Sequence, residues 1–215
     1  MRQLPKIVPV ESDEDVHRVA RLVAEAWCRF DQAAWLVPNR LQRRMILGEV
    51  ARIHIEHATF YGTVNILADG TAATVWFDRH RPMPPPLDYW SRLADVAGGN
   101  VSRFMLLDKL LDGNRPGDGH EELAFVAVAS GCRGAGRGRW LVRHHLAKLD
   151  NAGITTYAGA ATGAAREFYR TLGYRPVHAV PMPDGNRICL MRRTPHTADG
   201  TEAARDRAPG RNGLA

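Results

Sequence analysis

One stretch limits the folds open to this chain more than any other: Glu122 to Leu141, E-L-A-F-V-A-V-A-S-G-C-R-G-A-G-R-G-R-W-L. Leu123, Phe125, Val126 and Val128 form a short apolar run rich in β-branched residues, which reads as a buried strand. Leu141, Val142, His145, Leu146 and Leu149 then recur at helical spacing. Between the two lies Arg133-Gly134-Ala135-Gly136-Arg137-Gly138. A helix start offers unpaired N–H groups and the positive end of the helix dipole, and glycines let anionic oxygens reach those donors with no Cβ in the way. Strand, glycine-rich turn and helix therefore predict a ligand that carries phosphate.

Spacing sorts the phosphate motifs that share this layout. A Walker loop needs Lys and then Ser/Thr after its last glycine, but Gly136 is followed by Arg137 and Gly138. A dinucleotide fingerprint starting at Gly134 and Gly136 needs glycine where Arg139 stands. What fits is R-x-x-G-x-G at Arg133, Gly136 and Gly138. About thirty residues on comes A-x-x-F-Y-x-x-L-G-Y, from Ala165 through Phe168, Tyr169 and Leu172 to Gly173 and Tyr174. Ala165, Phe168, Tyr169 and Leu172 share one face of a short helix, and Gly173 supplies the left-handed residue that ends it.

These two motifs, in this order, resemble those of the GNAT N-acetyltransferases. The resemblance implies an α/β fold with a mixed, mostly antiparallel sheet of six to seven strands, flanked by helices and with splayed central strands. It implies acetyl-CoA as the acyl donor. The backbone of Val126, Ala127 and Val128 would hold the pantetheine arm, and Arg133, Gly134, Ala135, Gly136, Arg137, Gly138 and Arg139 the pyrophosphate. Tyr169 matches the position that gives a proton to the departing thiolate. Glu122, eleven residues before Arg133, matches the base carboxylate of the histone-acetylating branch. His120 is a second candidate base. Within the family the likeness is greatest to the puromycin N-acetyltransferase-type, small-molecule branch, through the acidic first helix, the F-Y-x-x-L-G motif and the close at Cys189 to Arg192. Two positions depart from that branch, Gly159 where a glutamate is expected and Ala165 where an asparagine is.

The rest of the chain is consistent with one enzyme domain, taken as residues 1–195, followed by a polar tail, 196–215, expected to be disordered. Ser12 reads as the cap of a first helix with an apolar face through Val16, Val19 and Val23; a second helical pattern covers about Leu41 to His57. Ala68-Asp69-Gly70-Thr71 joins two strands as a hairpin, and Pro82 to Pro86 breaks regular structure. Helical patterns follow near Leu87 to Val96 and Val101 to Leu111; further strands are expected at Ile154 to Gly159, Tyr174 to Val180 and Arg187 to Met191. Trp27, Phe30, Trp35, Trp76, Phe77 and the Pro82 to Pro86 loop suggest an enclosed aromatic pocket for a small-molecule amine, where a protein or peptide substrate would need an open cleft. The alternative from another class is a CoA-binding regulatory module without catalysis, which Glu122 pointing into solvent would favour.

The net charge of +6 does not point to nucleic acid, because the basic residues are dispersed rather than clustered. No apolar stretch reaches the length of a membrane span, and the N-terminus carries no signal-like segment, so a cytoplasmic monomer or homodimer is expected. Three scattered cysteines suggest neither disulfides nor zinc. His54 and His57 share a helix face, but no third ligand is in range, so no metal is expected.

Overall fold

The computed structural model describes residues 5–196. Seven strands form one sheet in the order β1-β2-β3-β4-β5-β7-β6. They are β1 (Ile7–Pro9), β2 (Gly62–Leu67), β3 (Ala72–Asp78), β4 (Glu121–Val128), β5 (Thr156–Ala160), β6 (Arg175–Pro181) and β7 (Arg187–Arg193). Every neighbouring pair is antiparallel except β4 and β5. The helices are α1 (Asp13–Trp27), α2 (Asp31–Leu36), α3 (Arg40–Tyr61), α4 (Tyr89–Ala97), α5 (Val101–Gly113), α6 (Arg137–Asn151) and α7 (Gly163–Arg170). None of the described helices is long and apolar enough to cross a membrane.

Local chemistry accounts for most of these elements. Ser12 Oγ accepts from the Asp15 N–H at 3.2 Å and three acidic residues occupy the first turn of α1, a capped start worth about 1 kcal/mol. Gly70 takes the left-handed conformation (φ 68°) that the β2–β3 hairpin turn requires. Strand alternation sorts β3 between two layers. Ala73, Val75 and Phe77 pack with α1 and α3 residues such as Val19, Val23, Ala51 and Ile55. Trp76 faces the other way, into the cluster of Leu123, Val142, Leu146, Tyr169 and Met191 beneath α6 and α7.

Three expectations need correcting. The second helix runs on to Tyr61, beyond His57, until the chain turns into β2. Strand β5 starts at Thr156 rather than Ile154, because the Ile154 N–H is spent closing the end of α6 on Leu149 O. Helix α2 and strand β1 were not expected at all; with 6 and 3 residues they are too short to show a period. Of the expected tail, His196 donates its N–H to Asp150, and 197–215 lie outside the described residues.

Candidate active site

Strand β4 pairs with β5 over only three positions, Glu121–Thr156, Glu122–Tyr157 and Leu123–Ala158, although it continues to Val128. On its other edge it pairs with β3 along its whole length, with a register shift that leaves Ala124 unmatched. Such a bulge bends a strand. Beyond Leu123, then, β4 leaves β5, and its backbone on that side has no strand partner. A cavity of about 200 Å³ fills the split, more than ten times the space one water needs. Its walls come from both layers: Trp27, Phe30, Gln32 and Leu107 from α1, the α1–α2 turn, α2 and α5, and Ala165 and Tyr169 from α7.

At the C-terminal end of β4 the chain makes a short 3-10 turn, Ser130–Cys132, and enters α6. Gly134 and Gly136 have φ of 76° and 77°, and a Cβ at either would meet nothing within 4 Å. These glycines serve backbone conformation and leave open space above the loop. Gly138 serves packing, since a Cβ there would lie 3.1 Å from Val128 Cγ2. The first helical bond of α6 runs from Trp140 N–H to Gly136 O, so the amides of Arg137, Gly138 and Arg139 have no acceptor within the helix. The arginine side chains of this motif are otherwise engaged: Arg133 Nε donates to Val128 O at 3.3 Å, Arg137 reaches Asp69 and Thr71, and Arg139 donates to Thr171 Oγ1 at 3.0 Å. What Arg137 offers a ligand is thus its amide. Unpaired donors over an open, positively polarised turn, beside an unpaired strand edge, fit the pyrophosphate and pantetheine of acetyl-CoA.

Tyr169 lines the cavity and is buried, and its hydroxyl makes no hydrogen bond to any of the described residues, burial being the one influence on its titration. Burial pushes its pKa up to about 12, so it stays protonated at neutral pH. His120 also lines the cavity, 1% exposed. Its Nδ1 lies 2.6 Å from Asp118 O, which can only accept, so Nδ1 carries the hydrogen and the neutral ring keeps its lone pair on Nε2. Nε2 has no hydrogen-bond partner among the described residues. Glu122 lines the same cavity but is already engaged, for its Oε2 accepts from Arg79 Nε at 2.8 Å and from Arg115 Nε at 3.3 Å. Burial pushes the Glu122 carboxyl up, but the two guanidiniums outweigh it and hold it below the usual range.

The aromatic residues divide. Trp27 and Phe30 line the cavity, with the Trp27 ring 5.7 Å from that of Phe125. Trp76 does not: it is fully buried on the α6 side of the sheet with its ring 4.4 Å from that of His145. Trp35 packs into the cluster between α2, α3 and α5, because α2 turns it away from the split. His54 stands between the rings of Tyr89 and Phe125, and burial pushes its pKa down to about 4. Sequence reasoning missed Gln32, Phe125, Tyr157, Arg79 and Arg115. Phe125 and Tyr157 sat on strands already identified; no local signal marked the others.

Residues 97–176 match the family model described as "Acetyltransferase (GNAT) domain". The span takes in α5, β4, the loop, α6, β5 and α7; the cavity walls from α1, α2 and β7 lie outside it. Among solved structures, a protein of Corynebacterium glutamicum described as "histone acetyltransferase HPA2 and related acetyltransferase" is 22% identical, with a TM-score of 0.69 over 92% of this chain and 99% of that one. Arylalkylamine N-acetyltransferase 2 of Aedes aegypti (12%, TM-score 0.56) covers 89% of this chain and 99% of its own. The ribosomal-protein-S18-alanine N-acetyltransferase of Escherichia coli (15%, TM-score 0.52) covers 92% and 98%. The fold is therefore the GNAT fold, and the matched domain is that of an acyltransferase.

Proposed function

We propose that this chain is an acetyl-CoA-dependent N-acetyltransferase that moves the acetyl group directly to the primary amine of a small molecule, with donor and acceptor bound together. The observation that carries the reading is the cavity in the β4–β5 split, whose wall carries the Tyr169 hydroxyl and a histidine nitrogen, His120 Nε2, that has no hydrogen-bond partner among the described residues. The free edge of Val126 to Val128 and the amides from Gly134 to Arg139 would hold the donor, which supplies the activated thioester carbonyl. His120 Nε2 takes the proton that the amine sheds as its nitrogen bonds to that carbonyl carbon. As the carbon–sulfur bond breaks, the Tyr169 hydroxyl gives its proton to the sulfur. We give the base role to His120 and not to Glu122, because a carboxylate already shared by two guanidiniums is a poor proton acceptor.

A small acceptor is favoured by the size of the cavity, about 200 Å³, and by the walls that α1, α2 and α5 place around it. The branch the motifs favour is the puromycin N-acetyltransferase type, although Gly159 and Ala165, both on the cavity wall, leave that branch's glutamate and asparagine unrepresented. Cys28, Cys132 and Cys189 are free thiols, in keeping with action in the cytoplasm. The test is Tyr169→Phe, which removes one hydroxyl with no hydrogen-bond partner among the described residues and almost no volume. Turnover, followed as free thiol, should fall by about 10² to 10³ with the acetyl-CoA Michaelis constant unchanged, because the donated proton matters in the transition state. A variant that keeps most of its turnover removes Tyr169 from the chemistry.

A further inference from the structure

We propose that the acceptor is a primary amine on an aromatic or otherwise apolar body with no second charged group, and that Gln32 positions its nitrogen. The inference rests on the acetyl-transfer reading above and narrows it. Electrostatics set the first half. Only Arg115, Glu122 and His120 among the cavity-lining residues can carry charge. Arg115 is committed to Glu122 at 3.3 Å and to Asp112 at 2.5 Å, and Glu122 is shared with Arg79. Two guanidiniums and two carboxylates thus close on one another. A carboxylate on the acceptor would find no free guanidinium, and only by holding His120 protonated, which would take the base out of use, could it find a cation; a second ammonium would find no free carboxylate. Burying either unpaired is strongly unfavourable. The remaining wall is apolar, with the rings of Trp27, Phe30, Phe125 and Tyr157 offered to the body of the ligand.

Gln32 sets the second half. It is 3% exposed and lines the cavity from α2. Its Nε2 donates to Ala161 O at 3.5 Å, which orients the amide and leaves Oε1 as the free end. That oxygen is buried with no hydrogen-bond partner among the described residues. A buried acceptor left unmade costs stability unless a ligand supplies the donor, and an amine N–H is such a donor.

The test compares four probes with acetyl-CoA by free-thiol release: 2-phenylethylamine, phenylalanine, spermidine and a short peptide with an N-terminal alanine. Phenylethylamine should exceed phenylalanine in kcat/KM by about 10²-fold, the carboxylate being the only difference, and should exceed the other two as well. Gln32→Met should raise the KM for phenylethylamine about tenfold with acetyl-CoA affinity by calorimetry unchanged. Equal or better use of phenylalanine, spermidine or the peptide overturns the proposal, as does a protein that binds acetyl-CoA but leaves phenylethylamine untouched. An unchanged KM in Gln32→Met removes Gln32 from it. Should Gln32→Met fail to fold, Gln32→Asn, which withdraws the oxygen by one methylene, should raise the KM in the same direction, and an unchanged KM there removes Gln32 equally. If calorimetry shows no acetyl-CoA binding, the acetyl-transfer reading itself fails and takes the proposal with it.

Discussion

The two ends of β4 handle polar groups in opposite ways. At its N-terminal end Glu122 is clasped by Arg79 and Arg115, Arg115 by Asp112, and the Arg79 guanidinium lies 4.9 Å over the Phe77 ring. At its C-terminal end the strand edge is unpaired beyond Leu123, and the amides of Arg137 to Arg139 have no helical acceptor. The partnered charges hold the fold, whereas the strand edge and the helix-start amides beside the cavity are what a ligand can complete. At the charged end Glu121 Oε2 and His120 Nε2 also lack hydrogen-bond partners among the described residues, but of the two only His120 lines the cavity, fixed on one nitrogen and free on the other.

Gly136→Asp attacks the open end and should have the largest effect. The new Cβ meets nothing in the protein, and the left-handed φ of 77° costs about 1 kcal/mol, a fall of a few degrees in Tm. The carboxylate would face the pyrophosphate, and like charges so placed cost several kcal/mol. Acetyl-CoA affinity by calorimetry should drop by about 10²-fold or more in a protein with an unchanged circular dichroism spectrum. Retained affinity would show that the α6 start does not bind phosphate.

The same contrast explains what could be read before the fold was known. The loop at the open end is contiguous, from Arg133 to Arg139, and its glycines have a conformational reason that a sequence displays. The Tyr169 helix is equally local, capped by Thr162 Oγ1 on the Ala165 N–H. The charged end is assembled from distant parts. Arg79 meets Glu122 because β3 pairs Phe77 with Glu122, a register that no single-strand pattern encodes. Trp76 was misplaced for a related reason. Alternation assigns Val75 and Trp76 to opposite faces of β3, but both faces are buried, so the pattern alone does not say which one meets the split. Gln32 rides on a six-residue helix with too few turns to announce itself.

His120→Gln probes the free nitrogen at the charged end. Glutamine retains polarity but cannot take up a proton near neutral pH, so turnover should fall by about 10²-fold with the acetyl-CoA KM unchanged. Alkaline buffer should restore part of the rate, because more of the amine is then neutral without help. A variant whose pH profile merely parallels the wild type would return the base role to Glu122 or to solvent.

Glu122→Gln gives the smallest expected change in chemistry and the sharpest test of the contrast. If Glu122 is architecture, its loss leaves two guanidiniums facing an uncharged amide in a partly buried site, where the side chains of Arg79, Arg115 and Glu122 are 14%, 27% and 27% exposed. Removing one partner of a fully buried pair costs about 3–5 kcal/mol; with this exposure about 1–3 kcal/mol is expected, a Tm lower by roughly 3–10 °C at pH 7. Turnover of the folded variant should stay within about threefold. The sign of the pH dependence follows from the direction of the shift. A carboxyl held below its ordinary value contributes stability that is fully present above the unfolded-state pKa, about 4.3 for glutamate, and is lost as pH falls through the lower folded-state value. The Tm gap between wild type and Glu122→Gln should therefore be constant from pH 7 down to about pH 5 and close below about pH 4. A gap that is absent at pH 7, together with turnover lowered by about 10²-fold, would make Glu122 the base and dissolve the distinction between the two ends of β4.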